Sequence, residues 1–213
     1  MPSNLRHNWQ TREALDELNN VEAFRRLAGF GSNVMATWAP GVYNYYAEYL
    51  GNLYRRYPHL QKNFDNSIFP AATYNMGPQT ACYRHTDYAN LPFGMCAITA
   101  LGAYDPAKGG HLVLWDSRLV IEFPPGSTIL IPSSVMSHSN TAISRDETRY
   151  SFTQYAAGAL FRWVDNNFMK ATDYWESLTE EQRTMTNEKD SQRWIFGLSL
   201  LPDFEATCRG IVA

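Results

Sequence analysis

Cys96-Ala-Ile-Thr-Ala-Leu101, Leu112-Val-Leu-Trp115, Leu119-Val-Ile-Glu-Phe123, Thr128-Ile-Leu-Ile131 and Ser151-Phe-Thr-Gln-Tyr155 are short runs rich in β-forming side chains. Turn signals separate them at Asp105-Pro106, Gly109-Gly110, Pro124-Pro125-Gly126 and Pro132-Ser133. Many short strands with regular breakers predict a sandwich or jelly roll across about residues 67 to 157.

Helical patterns flank this zone. Ala14, Leu15, Leu18, Val21, Phe24 and Leu27 recur at helical spacing, with a start at Thr11-Arg12-Glu13 and a stop at Gly29-Phe30-Gly31. A second helix begins at Ala39-Pro40, where proline suits a first turn, and runs through Tyr43, Tyr46, Ala47, Leu50 and Tyr54 to Pro58. Beyond about residue 158 the chain returns to helix, and Thr179 with Gln182 three residues later forms a capping-box pattern. The expectation is an α+β chain of one domain. Residues 1–66 are helical, 67–157 form the β core and 158–213 are helical again.

Composition excludes several classes. With 213 residues, 45% of them hydrophobic, the chain can bury a real core. No run of about 18 apolar residues would span a membrane. Met1-Pro2-Ser3-Asn4-Leu5-Arg6-His7 is polar, without the apolar core of a signal peptide. Cys82, Cys96 and Cys208 are an odd number without metal-type spacing, read as reduced thiols inside a cell. The net charge of −3 does not announce nucleic-acid binding, so any DNA contact rests on a local basic surface.

Within the strand zone stands His85-Thr86-Asp87, and then His138, Arg149 and Ser151, spelling H-x-D … H-x10-R-x-S. Two imidazoles and a carboxylate are the ligand set of a mononuclear non-haem Fe(II) oxygenase, with positions left open for chemistry. A planar guanidinium grips a carboxylate bidentately, so Arg149 with Ser151 makes a seat for a dicarboxylate co-substrate. Residues two apart in a strand share a face, which lets His85 and Asp87, and likewise Arg149 and Ser151, reach inward together. His138, just beyond a strand and turn, closes the triad from across the barrel. An H-x-D alone arises by chance roughly a quarter of the time in such a composition, whereas the His, Arg and Ser spacing is of order 2%. The other candidates are weaker. His7 and His59 read as surface residues. His111 follows Gly109-Gly110 and has a smaller claim on the site. Arg145 rivals Arg149 but lacks the paired serine. The pairs Arg25-Arg26 and Arg55-Arg56 suit phosphates, though such pairs are more often solvated helix faces.

The order H-x-D, a Gly-Gly-x-Leu strand, a Pro-Pro-Gly turn and H-x10-R-x-S resembles the double-stranded β-helix (jelly-roll, cupin-like) of Fe(II)/2-oxoglutarate-dependent dioxygenases. The longer stretches Arg84-His-Thr-Asp-Tyr-Ala-Asn-Leu-Pro-Phe-Gly94, Gly109-Gly-His-Leu-Val-Leu-Trp115, Phe123-Pro-Pro-Gly-Ser-Thr-Ile-Leu-Ile-Pro-Ser133 and His138-Ser-Asn140 resemble the TET/JBP-like dioxygenases of mushroom-forming fungi. The resemblance covers about residues 65 to 165 well and the flanks loosely. It implies Fe(II) on His85, Asp87 and His138, and 2-oxoglutarate on Arg149 and Ser151. It also implies O2 as oxidant and hydroxylation of a substrate C–H bond. TET enzymes place an asparagine three residues after the metal aspartate against a flipped methylcytosine, and Asn90 holds that position. They have a histidine just before it, where this chain has Ala89. The zinc-binding cysteine-rich extension of animal TET proteins is absent. Tyr83, Tyr88 and Phe93 are candidates to stack on a flipped base. Asn75 is a candidate 2-oxoglutarate contact by analogy with AlkB-type relatives, one residue out of register.

The leading expectation is oxidation of the 5-methylcytosine methyl group in DNA to hydroxymethylcytosine and beyond. The partner would be methylated DNA with its base flipped, without a membrane or an obligate protein partner, and the location the nucleus. Two alternatives stand beside it. One is a dioxygenase of the same fold acting on another methylated base, RNA, a protein side chain or a small metabolite. The other is a binding module with a vestigial site.

Overall fold

The structure is a computed structural model that describes residues 1–203; Cys208 lies outside the described residues. Three helices lead the chain: α1 (Trp9–Asn20), α2 (Glu22–Trp38) and α3 (Pro40–Arg56). Asn8 caps α1, its side chain accepting from the Thr11 N–H at 2.8 Å. Between α1 and α2 the break is the single extended residue Val21. The stop expected at Gly29-Phe30-Gly31 is not there, because α2 runs through it. A Cβ on Gly29 would lie 2.6 Å from Asn66 Nδ2, and one on Gly31 would lie 2.9 Å from Gln154 Nε2 and 3.2 Å from the Ala97 Cβ. These glycines let the helix approach its neighbours and do not end it. Pro40 opens α3 as its position suggested.

Among the described residues seven strands follow: β1 (Ala71–Asn75), β2 (Cys96–Ala103), β3 (Leu112–Leu114), β4 (Leu119–Ile121), β5 (Thr128–Ile131), β6 (His138–Asn140) and β7 (Thr148–Tyr155). They form a four-stranded sheet in the order β1-β7-β2-β5 and a three-stranded sheet in the order β4-β3-β6, antiparallel throughout. The chain passes from one sheet to the other after β2, β4, β5 and β6.

Alternation along the strands builds two cores. From β2, Ile98 and Ala100 pack toward the smaller sheet with Leu112, Leu114, Ile121, Phe123 and Ile131. Ala97 turns the other way, into a helical layer with Met35, Val42, Tyr46 and Phe161. From β7, Phe152 packs among α2 side chains such as Phe24 and Ala28. Gln154, also on that face, is buried yet satisfied, accepting from Ser67 Oγ at 2.7 Å and donating to the Ala28 carbonyl. The alternate β7 residues, Arg149, Ser151, Thr153 and Tyr155, face the space between the sheets. The helices thus close one face of the larger sheet and leave its other face to build a cavity.

The chain ends in α4 (Gly158–Asp165), α5 (Ala171–Ser177), α6 (Glu180–Ser191) and α7 (Arg193–Ser199). Thr179 and Gln182 form the anticipated capping box on α6. Asp165 accepts from Tyr49 Oη at 2.9 Å and from Arg193 Nη2 at 3.0 Å, fastening α4 to α3 and α7. No described helix is long and apolar enough to cross a membrane.

Candidate metal centre and its cavity

A cavity of about 430 Å³ opens between the sheets, within the range of roughly 300–1,000 Å³ common for small-molecule sites. His85, Asp87 and His138 line it, and one donor atom from each lies within 4.8 Å of the others. The route by which they meet differs from the expected strand pair. His138 opens β6, a strand not read from the sequence. His85 lies outside any strand and is pinned to β6 by two backbone hydrogen bonds, His85 N–H to the His138 carbonyl at 3.1 Å and His138 N–H to the His85 carbonyl at 2.9 Å. Asp87 is fixed by its own N–H on the Ser133 carbonyl at 2.9 Å. Its Oδ1 lies 3.6 Å from His85 Nε2.

Both imidazoles are oriented through Nδ1, which in His85 is the nitrogen turned away from Asp87. His85 Nδ1 lies 2.8 Å from the Tyr83 carbonyl, and His138 Nδ1 lies 3.0 Å from the Met136 carbonyl. A carbonyl accepts only from N–H, so both contacts select the neutral tautomer protonated on Nδ1 as the metal-binding form, with the lone pair on Nε2. Three donors around an ion at about 2.1 Å, set at right angles, stand roughly 3 Å apart. The 3.6 Å spacing of His85 and Asp87 is somewhat wider than that, and the three donors stand near enough for one small divalent ion to bind among them, leaving further positions open. Burial pushes the Cys96 thiol up to about 12, so it stays a neutral core residue outside the cavity lining.

At another wall stands Arg149. It is only 3% exposed, yet among the described residues no carboxylate lies within ion-pair distance of it. Its Nη1 donates to the Thr80 carbonyl at 3.0 Å, while its Nε is buried without a hydrogen-bond partner. A buried, unpaired guanidinium is costly unless an anion completes it. Ser151, next on the same face, accepts from Asn75 Nδ2 at 2.9 Å. Asn75 pairs directly with Ser151 across β1 and β7 and lines the same cavity as Arg149 and Ser151. The donors there suit a dicarboxylate.

Asn90 reaches the cavity from the Asp87 turn. Its N–H bonds the Asp87 carbonyl at 2.8 Å and its Nδ2 donates to Ser133 Oγ at 3.1 Å, leaving Oδ1 as an acceptor. It also bridges to Ala157, just past the end of β7, and Tyr155, whose hydroxyl lies 3.3 Å from Thr73 Oγ1, lines the same cavity. Tyr88 lines the mouth and is 88% exposed, and Tyr83 is 95% exposed outside the lining. Phe93 does not line the cavity. Its ring packs in the helical layer, 5.3 Å from Tyr45 and 6.0 Å from Phe196 between centroids. His111, bonded to Thr141, the exposed Arg145 and the exposed pairs Arg25-Arg26 and Arg55-Arg56 also lie outside the lining. Sequence reading passed over Cys82, Asn140, Thr153 and Tyr155, which do line it. For the last two the signal was present, since they continue the Arg149-x-Ser151 alternation.

No family model and no curated protein matches the chain. Solved structures that resemble it include the complex of NgTET1 with 5mC DNA, at 15% identity over 52% of this chain and 46% of that one, TM-score 0.39. Another is the viral collagen prolyl hydroxylase of Paramecium Bursaria Chlorella virus-1 in its 2OG complex, at 12% identity over 52% of this chain and 70% of that one, TM-score 0.30. This chain therefore spans less than half the length of the NgTET1 chain.

Proposed function

We propose that the chain is an Fe(II)/2-oxoglutarate-dependent dioxygenase built on a double-stranded β-helix, and that it oxidises the methyl group of 5-methylcytosine in DNA. One observation carries the reaction class. Three side chains able to ligate a metal share a cavity with a buried guanidinium that has no carboxylate partner among the described residues. His85, Asp87 and His138 would hold the iron. Arg149 would bind the distal carboxylate of 2-oxoglutarate, with Ser151, itself oriented by Asn75, beside it. The iron and co-substrate supply the oxidising power, coupling decarboxylation of 2-oxoglutarate to succinate with insertion of one oxygen atom of O2 into a C–H bond. The protein positions the groups and limits water.

The substrate reading rests on Asn90. Its free Oδ1 matches the exocyclic N4 amine of a cytosine, a donor. Tyr155, also in the cavity lining, would offer a ring against the base. Tyr83 and Tyr88 are too exposed to enclose a base and suit the strand flanking it. Nuclear location belongs to this proposal, following from a chromatin substrate. The test is incubation with methylated duplex DNA, Fe(II), ascorbate and 2-oxoglutarate, followed by mass spectrometry of the nucleosides. The expected product is hydroxymethylcytosine, and Asn90→Ala should lower its yield at least tenfold, about 1.4 kcal/mol, without weakening 2-oxoglutarate binding. An unchanged nucleoside profile beside a working control enzyme would remove the DNA reading. Succinate formation with another methylated base, a protein side chain or a small metabolite would then identify the alternative substrate.

A further inference from the structure

Asn140 stands two residues beyond His138 on β6, and its amide turns to residues 80–82. Oδ1 accepts from the Cys82 N–H at 2.8 Å, and the Asn140 N–H donates to the Cys82 carbonyl at 3.2 Å. Nδ2 donates to the Thr80 carbonyl at 3.4 Å and to the Thr141 carbonyl at 3.2 Å. Two consequences follow from where these contacts fall.

The first concerns His85. The backbone pairs Asn140 with Cys82 and His138 with His85. One residue, Ser139, separates the pairs on β6, whereas Tyr83 and Arg84 separate them on the opposite side. An extra residue of this kind bends the chain and re-aims the side chain that follows. The side chain that follows is the His85 imidazole, and the extra stretch includes the Tyr83 carbonyl that holds its Nδ1. Asn140 clamps the near end of that bulge.

The second concerns Arg149. The Thr80 carbonyl that receives Asn140 Nδ2 is the acceptor of Arg149 Nη1. Thr80 also donates its N–H to the Arg149 carbonyl at 3.1 Å. One side chain therefore ties the segment leading to a metal donor and the acceptor that orients the co-substrate anchor.

We propose that Asn140 is a positioning residue for both halves of the site, setting the His85 ring through the bulge and the Arg149 guanidinium through the shared Thr80 carbonyl. The inference rests on the iron and 2-oxoglutarate reading above. It is tested by anaerobic titration of the Fe(II)-loaded protein with 2-oxoglutarate, following the metal-to-ligand charge-transfer band, with iron affinity measured separately. Asn140→Ala should raise both dissociation constants about tenfold, the lower end for groups that orient ligands. The effect on 2-oxoglutarate should largely vanish in an Arg149→Lys background, because the clamp acts through Arg149. A purely structural asparagine would instead give losses that multiply in the double variant. Such multiplication, or a 2-oxoglutarate constant within twofold of wild type in Asn140→Ala, overturns the proposal. If Asn140→Ala does not fold, Asn140→Asp keeps the acceptor for Cys82 and removes the donor to Thr80. It should weaken 2-oxoglutarate while leaving iron affinity within about twofold, and equal loss of both, or of neither, overturns the proposal. Absence of the band in the wild type would sink the underlying reading instead, so the two failures are distinct.

Discussion

Arg149 is a charge that the folded protein buries before any ligand arrives. Its unpartnered Nε makes a prediction with two opposite signs. Arg149→Met should leave the ligand-free protein at least as stable in urea unfolding, since an apolar side chain of similar length removes an uncompensated buried charge. The same change should weaken 2-oxoglutarate binding at least a hundredfold, about 2.7 kcal/mol. Loss of stability with binding intact would show that the guanidinium serves the fold. At this scale the sequence was informative where chemistry dictates residue type. His85, Asp87, His138, Arg149 and Ser151 stood out by residue type and spacing, because few other side chains ligate metals or fork onto a carboxylate, and the fold brings all five to one cavity. Phe93 was misplaced because nearness in sequence does not reveal which layer a side chain enters. Asn140 stayed invisible because its role depends on Thr80 and Cys82, 60 and 58 residues away.

Among the elements, the three leading helices show what local pattern can and cannot say. Pro40 and the Thr179 capping box announced helix starts because their mechanism is local. Gly29 and Gly31 misled because their cause lies outside the helix, in the Asn66 turn beside Gly29 and the sheet below Gly31. β6 escaped notice because His138-Ser139-Asn140 has no β-forming character and is a strand only through pairing with β3. A matched pair of substitutions separates the two meanings of glycine. Gly51→Ala in α3 meets nothing within 4 Å and should stabilise the protein by about 0.5–1 kcal/mol from backbone entropy alone. Gly31→Ala gains the same propensity but drives a methyl against the immobile Ala97 and the buried Gln154. It should cost about 1–2 kcal/mol net, overpacking exceeding propensity. Urea unfolding of both variants reads the difference, and a stabilised Gly31→Ala would refute the close-packing account of α2.

Over the whole molecule, helices sheathe one face of the larger sheet while a smaller sheet and the cavity occupy the other. That sheathing buries phenols. Burial pushes Tyr74 up to about 12 and raises Tyr45 and Tyr46 further, against about 10 in an unfolded chain. Below pH about 10 both states keep these protons and stability is full. Above it the unfolded chain releases protons that the folded chain retains, so stability falls as pH rises. Unfolding free energies measured from pH 8 to 11 should decline past 10, and Tyr46→Phe should make the decline shallower by about one proton.

The cavity between the sheets holds the four side chains on which the proposed chemistry depends. Anaerobic addition of 2-oxoglutarate to the Fe(II)-loaded protein tests that chemistry most directly. The predicted result is a metal-to-ligand charge-transfer band that saturates at one equivalent and is lost in His138→Ala. No band in the wild type, or one that persists unchanged without His138, would contradict the claim that His85, Asp87, His138 and Arg149 form a single iron and 2-oxoglutarate centre.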